Sequence, residues 1–396
     1  MSAAAAGRRR AVLRPSTLRA PDEERHPTWL ELFFDLCFVA AVAALAAYLH
    51  HHPTAEGLLR FAALFVPVWW AWMGYSWYAS AFDNDDVVFR ASWLVAMLLV
   101  IALAAGTGSA AAGRGDAFAL TYGLLMALLA LLFARAARHE RDARRFAVRY
   151  ATGDATGAAL WLVSLSVDGP ARYAVWVVAM VVLMVTPPLA VRAYEGKAFN
   201  AAHIAERYGL FTIIVLGESV VAVGASLADS GFDPLAAVTA ALGFGVAATL
   251  WWVYFDSVRW SPLTRASLLR SFTWGYGHLF VFAGIAAAAV GVHLAAEAAQ
   301  QGETVDGVGR LLLYGGVGSF LLATAVIHAI TVQGPDRVLA GRLVALAAAA
   351  LTTALAGSWP APVTVAALLA LTVAVVVHET MLGEVAPADA SPSVGA

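Results

Sequence analysis

His203-Ile204-Ala205-Glu206-Arg207-Tyr208-Gly209-Leu210-Phe211-Thr212-Ile213-Ile214-Val215-Leu216-Gly217-Glu218-Ser219 opens a run that stays largely apolar to residue 227. A helix needs roughly 20 mostly apolar residues to cross the hydrocarbon core of a bilayer. Residues 204–227 therefore predict one membrane span, with Glu206 and Arg207 at its edge and Glu218 near its middle. A helix is preferred over a barrel strand because the run is long and continuously apolar, whereas barrel strands alternate over about ten residues. It also pairs its backbone groups within one segment, as lipid demands.

Runs of the same kind recur along the chain. They fall at 30–49, 58–79, 89–108, 117–134, 150–167, 172–190, 235–256, 274–296, 311–331, 338–356 and 361–382, which makes twelve predicted spans with 204–227. The breaks carry loop chemistry, such as His52-Pro53, Gly113-Arg114-Gly115-Asp116, Asp168-Gly169-Pro170 and Asp233-Pro234. Composition agrees. The 396 residues are 61 % hydrophobic and 13 % charged, with a mean hydropathy of +0.73, against about 25 % charged in an ordinary soluble domain. A net charge of −2 offers no basic footprint for nucleic acid, and the single Cys37 excludes a disulfide framework. With the N-terminus placed in the cytoplasm, all but four of the 25 lysines and arginines fall on that side, the exceptions being Arg60, Arg114, Arg172 and Arg310. This is the positive-inside asymmetry, and it predicts both termini in the cytoplasm.

The expected fold is thus all-α and polytopic, with a disordered basic tail over 1–28, a first six-helix half over 29–190, a linker over 191–203, a second half over 204–382 and a disordered tail over 383–396. The two halves suggest a duplication. Asp35-Leu36-Cys37-Phe38 aligns with Glu218-Ser219-Val220-Val221, Trp69-Trp70 with Trp251-Trp252, Phe82-Asp83 with Phe255-Asp256, and Arg90 with Arg270. The alternative is that alanine- and tryptophan-rich helices resemble one another by composition.

Charges inside a span cost about 2.5–3.5 kcal/mol each at the helix centre and mark sites by default. Glu31 and Asp35 are four apart and share a helix face. They read either as part of a proton or cation site or as a structural pair tied to an arginine. Glu218, flanked by the small Gly217 and Ser219, needs a partner from another helix or a bound cation or proton. Arg207 lies roughly 16 Å from it along the same helix, too far to pair. The candidate proton, cation or substrate site is Glu31, Asp35, Glu206, Arg207, Glu218 and His278, with Asp83, Asp86, Arg90 and Asp256 as secondary candidates. Trp69, Trp70, Trp72 and Trp77 read as an aromatic belt at the membrane boundary. Asp83-Asn84-Asp85-Asp86 lacks the glycine and distal glutamate of an EF-hand loop; it reads as a solvated turn pairing with Arg90, as Asp256 does with Arg259. Asp154 reads as a partner of Arg149 or a helix cap. His278, His293 and His328 divide between hydrogen-bonded interior residues and proton relays. His50, His51 and His52 share an expected outer surface with His293 and Glu297. Ligand type permits zinc there, and an interfacial histidine patch is the preferred alternative, so no metal and no cofactor are expected. No phosphate loop, Gly-x-Ser-x-Gly or His-Glu-x-x-His occurs.

Trp29-Leu30-Glu31-Leu32-Phe33-Phe34-Asp35-Leu36 and the stretch from Glu206 to Ser219 resemble the two signature stretches of the bacterial low temperature requirement protein A family. Trp70 through Arg90, Trp251 through Asp256 and Tyr276-Gly277-His278 resemble further blocks of it. The resemblance runs from about residue 26 to 380. It implies a polytopic protein of the bacterial cytoplasmic membrane, linked by name to growth in the cold, and brings no substrate or catalytic residues. The first functional expectation is a secondary transporter or ion-conducting protein for an unknown ion or small solute. The second is a membrane sensor or accessory protein whose buried charges are structural. An intramembrane enzyme is the least supported, because no nucleophile or metal motif is present.

Overall fold

The computed structural model describes residues 15–18, 26–192, 194, 199–257, 268–332 and 336–385. Among them the long elements are all helices: α1 Trp29–His51, α2 Ala55–Ala81, α3 Val87–Ala111, α4 Asp116–His139, α5 Arg144–Val163, α6 Pro170–Val191, α7 Ala201–Asp229, α8 Pro234–Ser257, α9 Leu268–Gln301, the short α10 Gly307–Arg310, α11 Gly316–Val332, α12 Arg337–Leu355 and α13 Ala361–Val385. A single π-turn, Leu311–Gly315, joins α10 to α11, so the twelve expected spans correspond to twelve rods. Eleven are long and apolar enough to cross a membrane. The twelfth, α5, carries Arg144, Arg145, Arg149 and Asp154 and falls outside that set. The molecule is a polytopic helical membrane protein. Large exposed side chains such as Leu98, Leu131 and Val344 suit a surface whose solvent is lipid.

The helix starts follow from local chemistry. Asp86, Asp306 and Asp336 each accept a backbone N–H from the first turn of α3, α10 and α12, which satisfies donors that a helix leaves open. Pro170 begins α6 after Gly169 at φ 65°, a left-handed conformation that glycine adopts without cost. Thr17–Leu18 pairs antiparallel with Phe82–Asp83. Residues 15–18, expected in a disordered tail, are thus held by backbone hydrogen bonds.

Two compact units divide the chain: Met1–Tyr48 with Arg60–Phe211, and Leu49–Leu59 with Thr212–Ala396. The boundary between these units falls inside α7, whose first turns bond to α1 and α2. Nothing in the element order demonstrates a six-plus-six repeat. The first unit is packed with aromatic rings: Phe34, Tyr75 and Trp93 meet edge to face or tilted, and Phe133 stacks on Tyr150. The second unit instead uses close backbone approach. A Cβ added at Gly284 would stand 2.6 Å from the carbonyl oxygen of Gly316, and one at Gly291 would stand 2.5 Å from the nitrogen of Leu313. Small residues at such seams let helices approach without a solvent-driven hydrophobic force.

Candidate functional site

In the first unit the polar residues of three helices meet. Thr28 caps α1: its hydroxyl accepts the N–H of Glu31 and donates to the Glu31 carboxylate at 3.0 Å. That fixes Glu31 at the start of the helix, with Asp35 one turn on. From α2, Trp72, Ser76 and Ser80 lie four apart on one face. From α7, His203 and Arg207 do the same. The Arg207 guanidinium donates to Glu31 at 2.9 Å, to Asp35 at 2.6 Å and to the Ser76 hydroxyl at 2.9 Å. Trp72 Nε1 donates to the same Asp35 oxygen at 2.8 Å. His203 Nε2 stands 3.1 Å from Glu31, and its Nδ1 lies 2.7 Å from Ser80 Oγ. Glu31, Asp35, His203 and Arg207 are each at most 1 % exposed.

Among the described residues the cluster sets the Glu31 and Asp35 carboxylates against one guanidinium, with His203 beside Glu31. Charge in a dry interior is costly. The arginine removes the larger part of the cost through a planar fork that serves two oxygens and a hydroxyl at once.

The other sequence candidates fall elsewhere. Glu206 turns away to the surface, 3.1 Å from His26 Nδ1. The acidic turn before α3 is not a simple solvated pair with Arg90. Asp85 takes Arg90 at 2.6 Å, while Asp86 is buried, caps α3 and binds Arg135. The side chain of Asp83 lies outside the described residues. The tryptophans of α2 do not form a belt: Trp69, Trp70, Trp72 and Trp77 are all at most 4 % exposed. Trp72 stacks on Phe211 at 4.1 Å, and Trp77 Nε1 donates to Tyr208. Asp154 neither pairs with Arg149 nor caps a helix. Arg149 donates to the Leu189 carbonyl, and Asp154 sits buried in mid-α5, its Oδ2 without a hydrogen bond among the described residues.

In the second unit, Glu218 falls on the stripe of α7 that carries buried Val215 and Ala222, three residues before it and four after. It is half-buried, and among the described residues no hydrogen bond or ion pair engages it. A Cβ at the neighbouring Gly217 would meet nothing within 4 Å. His278 is a satisfied interior residue: Nε2 lies 3.0 Å from the Tyr254 hydroxyl, and Nδ1 lies 2.7 Å from the Trp274 carbonyl. Asp256 accepts from Trp252 Nε1 at 2.6 Å; Arg259, its expected partner, lies outside the described residues. His328 bonds to Asp336 at 2.6 Å.

The sequence model described as the bacterial low temperature requirement A protein matches residues 26–377. The chain belongs to this family. That span includes both carboxylates of α1, the Arg207 cluster and Glu218. The chain is also similar to an uncharacterized protein of Rhizobium meliloti (strain 1021), 26 % identical over 297 residues that cover 68 % of this chain and 72 % of the relative.

His203 and Ser76 are the cluster residues that sequence reasoning passed over, while Trp72 reads in the sequence as part of an aromatic belt. His203 had a usable signal. It stands one helical turn before Arg207, on the same face.

Proposed function

We propose that this family member is a proton- or cation-linked transport protein of the bacterial cytoplasmic membrane, with its N-terminus in the cytoplasm and Glu218 as its exchangeable carboxylate. The observation that carries the reading is Glu218 itself, a carboxylate in mid-span, on a packed stripe, with no partner among the described residues. An isolated carboxylate in such a setting is stable only with a proton or a cation on it. A group that must be loaded and has no permanent donor is suited to exchange. The Glu31–Asp35–Arg207–His203 cluster acts as a fixed brace of the first unit. The cargo is an ion or small solute.

The test is reconstitution in liposomes with proton and monovalent-cation flux followed by dyes. Flux that Glu218→Gln abolishes, while the variant still elutes as folded protein, supports the reading. Absence of flux in the wild type under imposed pH and cation gradients overturns it. A second reading, a membrane sensor or accessory protein with structural charges, is favoured by the three bonds that the terminal nitrogens of Arg207 make to Glu31, Asp35 and Ser76. It predicts no flux and a loss of stability in Arg207 variants.

A further inference from the structure

Within the second unit, the last turn of α1, the end of α7 and the last turns of α9 bring four metal-binding side chains together. His50 Nε2 is 3.2 Å from Glu297 Oε1. His293 Nε2 is 3.9 Å from the same oxygen and 3.5 Å from Asp229 Oδ2. The ligand atoms of His50, His293 and Glu297 all lie within 4.8 Å of one another. The imidazoles of His50 and His293 stack at 4.1 Å with planes 10° apart. His293 and Glu297 are one turn apart on α9 and share a face.

We propose that His50, His293 and Glu297, with Asp229 at the rim, form a binding site for a divalent transition metal of the zinc class. Three observations carry this. The first is spacing: metal–ligand bonds of about 2.0–2.2 Å in a tetrahedron put donors about 3.3–3.5 Å apart, and the separations of 3.2, 3.5 and 3.9 Å need only tenths of an ångström of adjustment. The second is ligand type: two imidazoles and one or two carboxylates match zinc and its neighbours, whereas calcium and magnesium prefer oxygen alone. The third is electrostatic: His50 and Asp229 lie in the final turns of α1 and α7, where outward carbonyls favour a cation. The site is open at its rim, since the Glu297 and Asp229 side chains are 38 % and 66 % exposed while both histidines are largely covered. A bound ion ties the ends of three helices together in one place.

The test uses the full-length protein in detergent, with any affinity tag removed and bound metal stripped by a chelator. Zn2+ is titrated in competition with a chromophoric chelator, and Co2+ serves as a spectroscopic probe. The wild type is expected to take up one Zn2+ per chain and to melt at a higher temperature with the ion. His50→Ala, His293→Ala and the conservative Glu297→Gln are expected to weaken uptake at least tenfold and to abolish the melting shift, and His51→Ala is expected to leave both unchanged. Size-exclusion profiles confirm that each variant is folded. The proposal is overturned by a folded wild type that takes up no Zn2+, or by unchanged affinity in the His293→Ala and Glu297→Gln variants. Ion binding is read directly, so the result is independent of whether the protein transports anything.

Discussion

Replacing Arg207 with methionine tests the brace in the first unit. Methionine keeps much of the side-chain volume and removes the fork. Three bonds are lost, to Glu31, Asp35 and Ser76, and two carboxylates are left facing each other at no more than 1 % exposure. Removing one partner of a buried ion pair costs about 3–5 kcal/mol. Two carboxylates losing the same cation place Arg207→Met near the upper end. At about 2–4 °C per kcal/mol for a unit of this size, melting should fall by about 10–20 °C, measured by thermal-shift fluorescence of the purified protein in detergent. The triple variant Glu31→Gln, Asp35→Asn, Arg207→Met removes the charges altogether. It should recover most of the loss, because a buried ion pair often stabilises little more than an uncharged replacement; the effects of contacting residues are not additive. A fall below about 2 °C for Arg207→Met, or a triple variant as unstable as the single one, refutes the assignment of these charges as one network.

Trp72→Phe keeps the ring against Phe211 and deletes one donor to Asp35; hydrogen bonds to charged groups are worth about 1.5–3 kcal/mol, so melting should drop by several degrees. Gly284→Val drives a side chain against the Gly316 carbonyl and should destabilise the second unit by about 1–3 kcal/mol or more, whereas Gly108→Ala, which enters open space, should leave melting unchanged or raised. Asp336 lies outside the spans. Burial pushes its carboxyl up, but the N–H of Leu339 and the bond to His328 outweigh that and hold it below the usual value of 3.8. Its stabilising effect is therefore full above pH 3.8 and fades as pH falls through the lower folded value. Asp336→Ala should cost about 1 kcal/mol at pH 7, and its gap from the wild type should narrow in melts below pH 3.8.

Eleven of the twelve predicted spans were legible because lipid imposes one rule, a long run of apolar residues; α5, with its arginines and Asp154, does not meet it. The aspartate caps at Asp86, Asp306 and Asp336 were not read: the sequence places Asp86 in a solvated turn, and it caps α3 instead. The partner of Glu31 and Asp35 was not legible either. Sequence sets Arg207 beside Glu218, on its own helix, while the bond it makes reaches α1. The tryptophans of α2 misled for a related reason. An indole with one polar edge suits a membrane boundary and a buried bond to a carboxylate equally well, and only the presence of Asp35 and Tyr208 within reach decides between them. Asp154 shows the limit of local pairing: Arg149 is near in sequence but spends a donor on Leu189.

The separation between Glu31 and Arg207 sets a schedule for the protein's birth. The carboxylate of α1 leaves the ribosome 176 residues ahead of the guanidinium that neutralises it. At about 5–20 residues per second, that is a wait of roughly 10–35 s. During this interval a charged α1 carries an insertion cost of up to about 2.5–3.5 kcal/mol per group, which protons on Glu31 and Asp35 would relieve until α7 arrives.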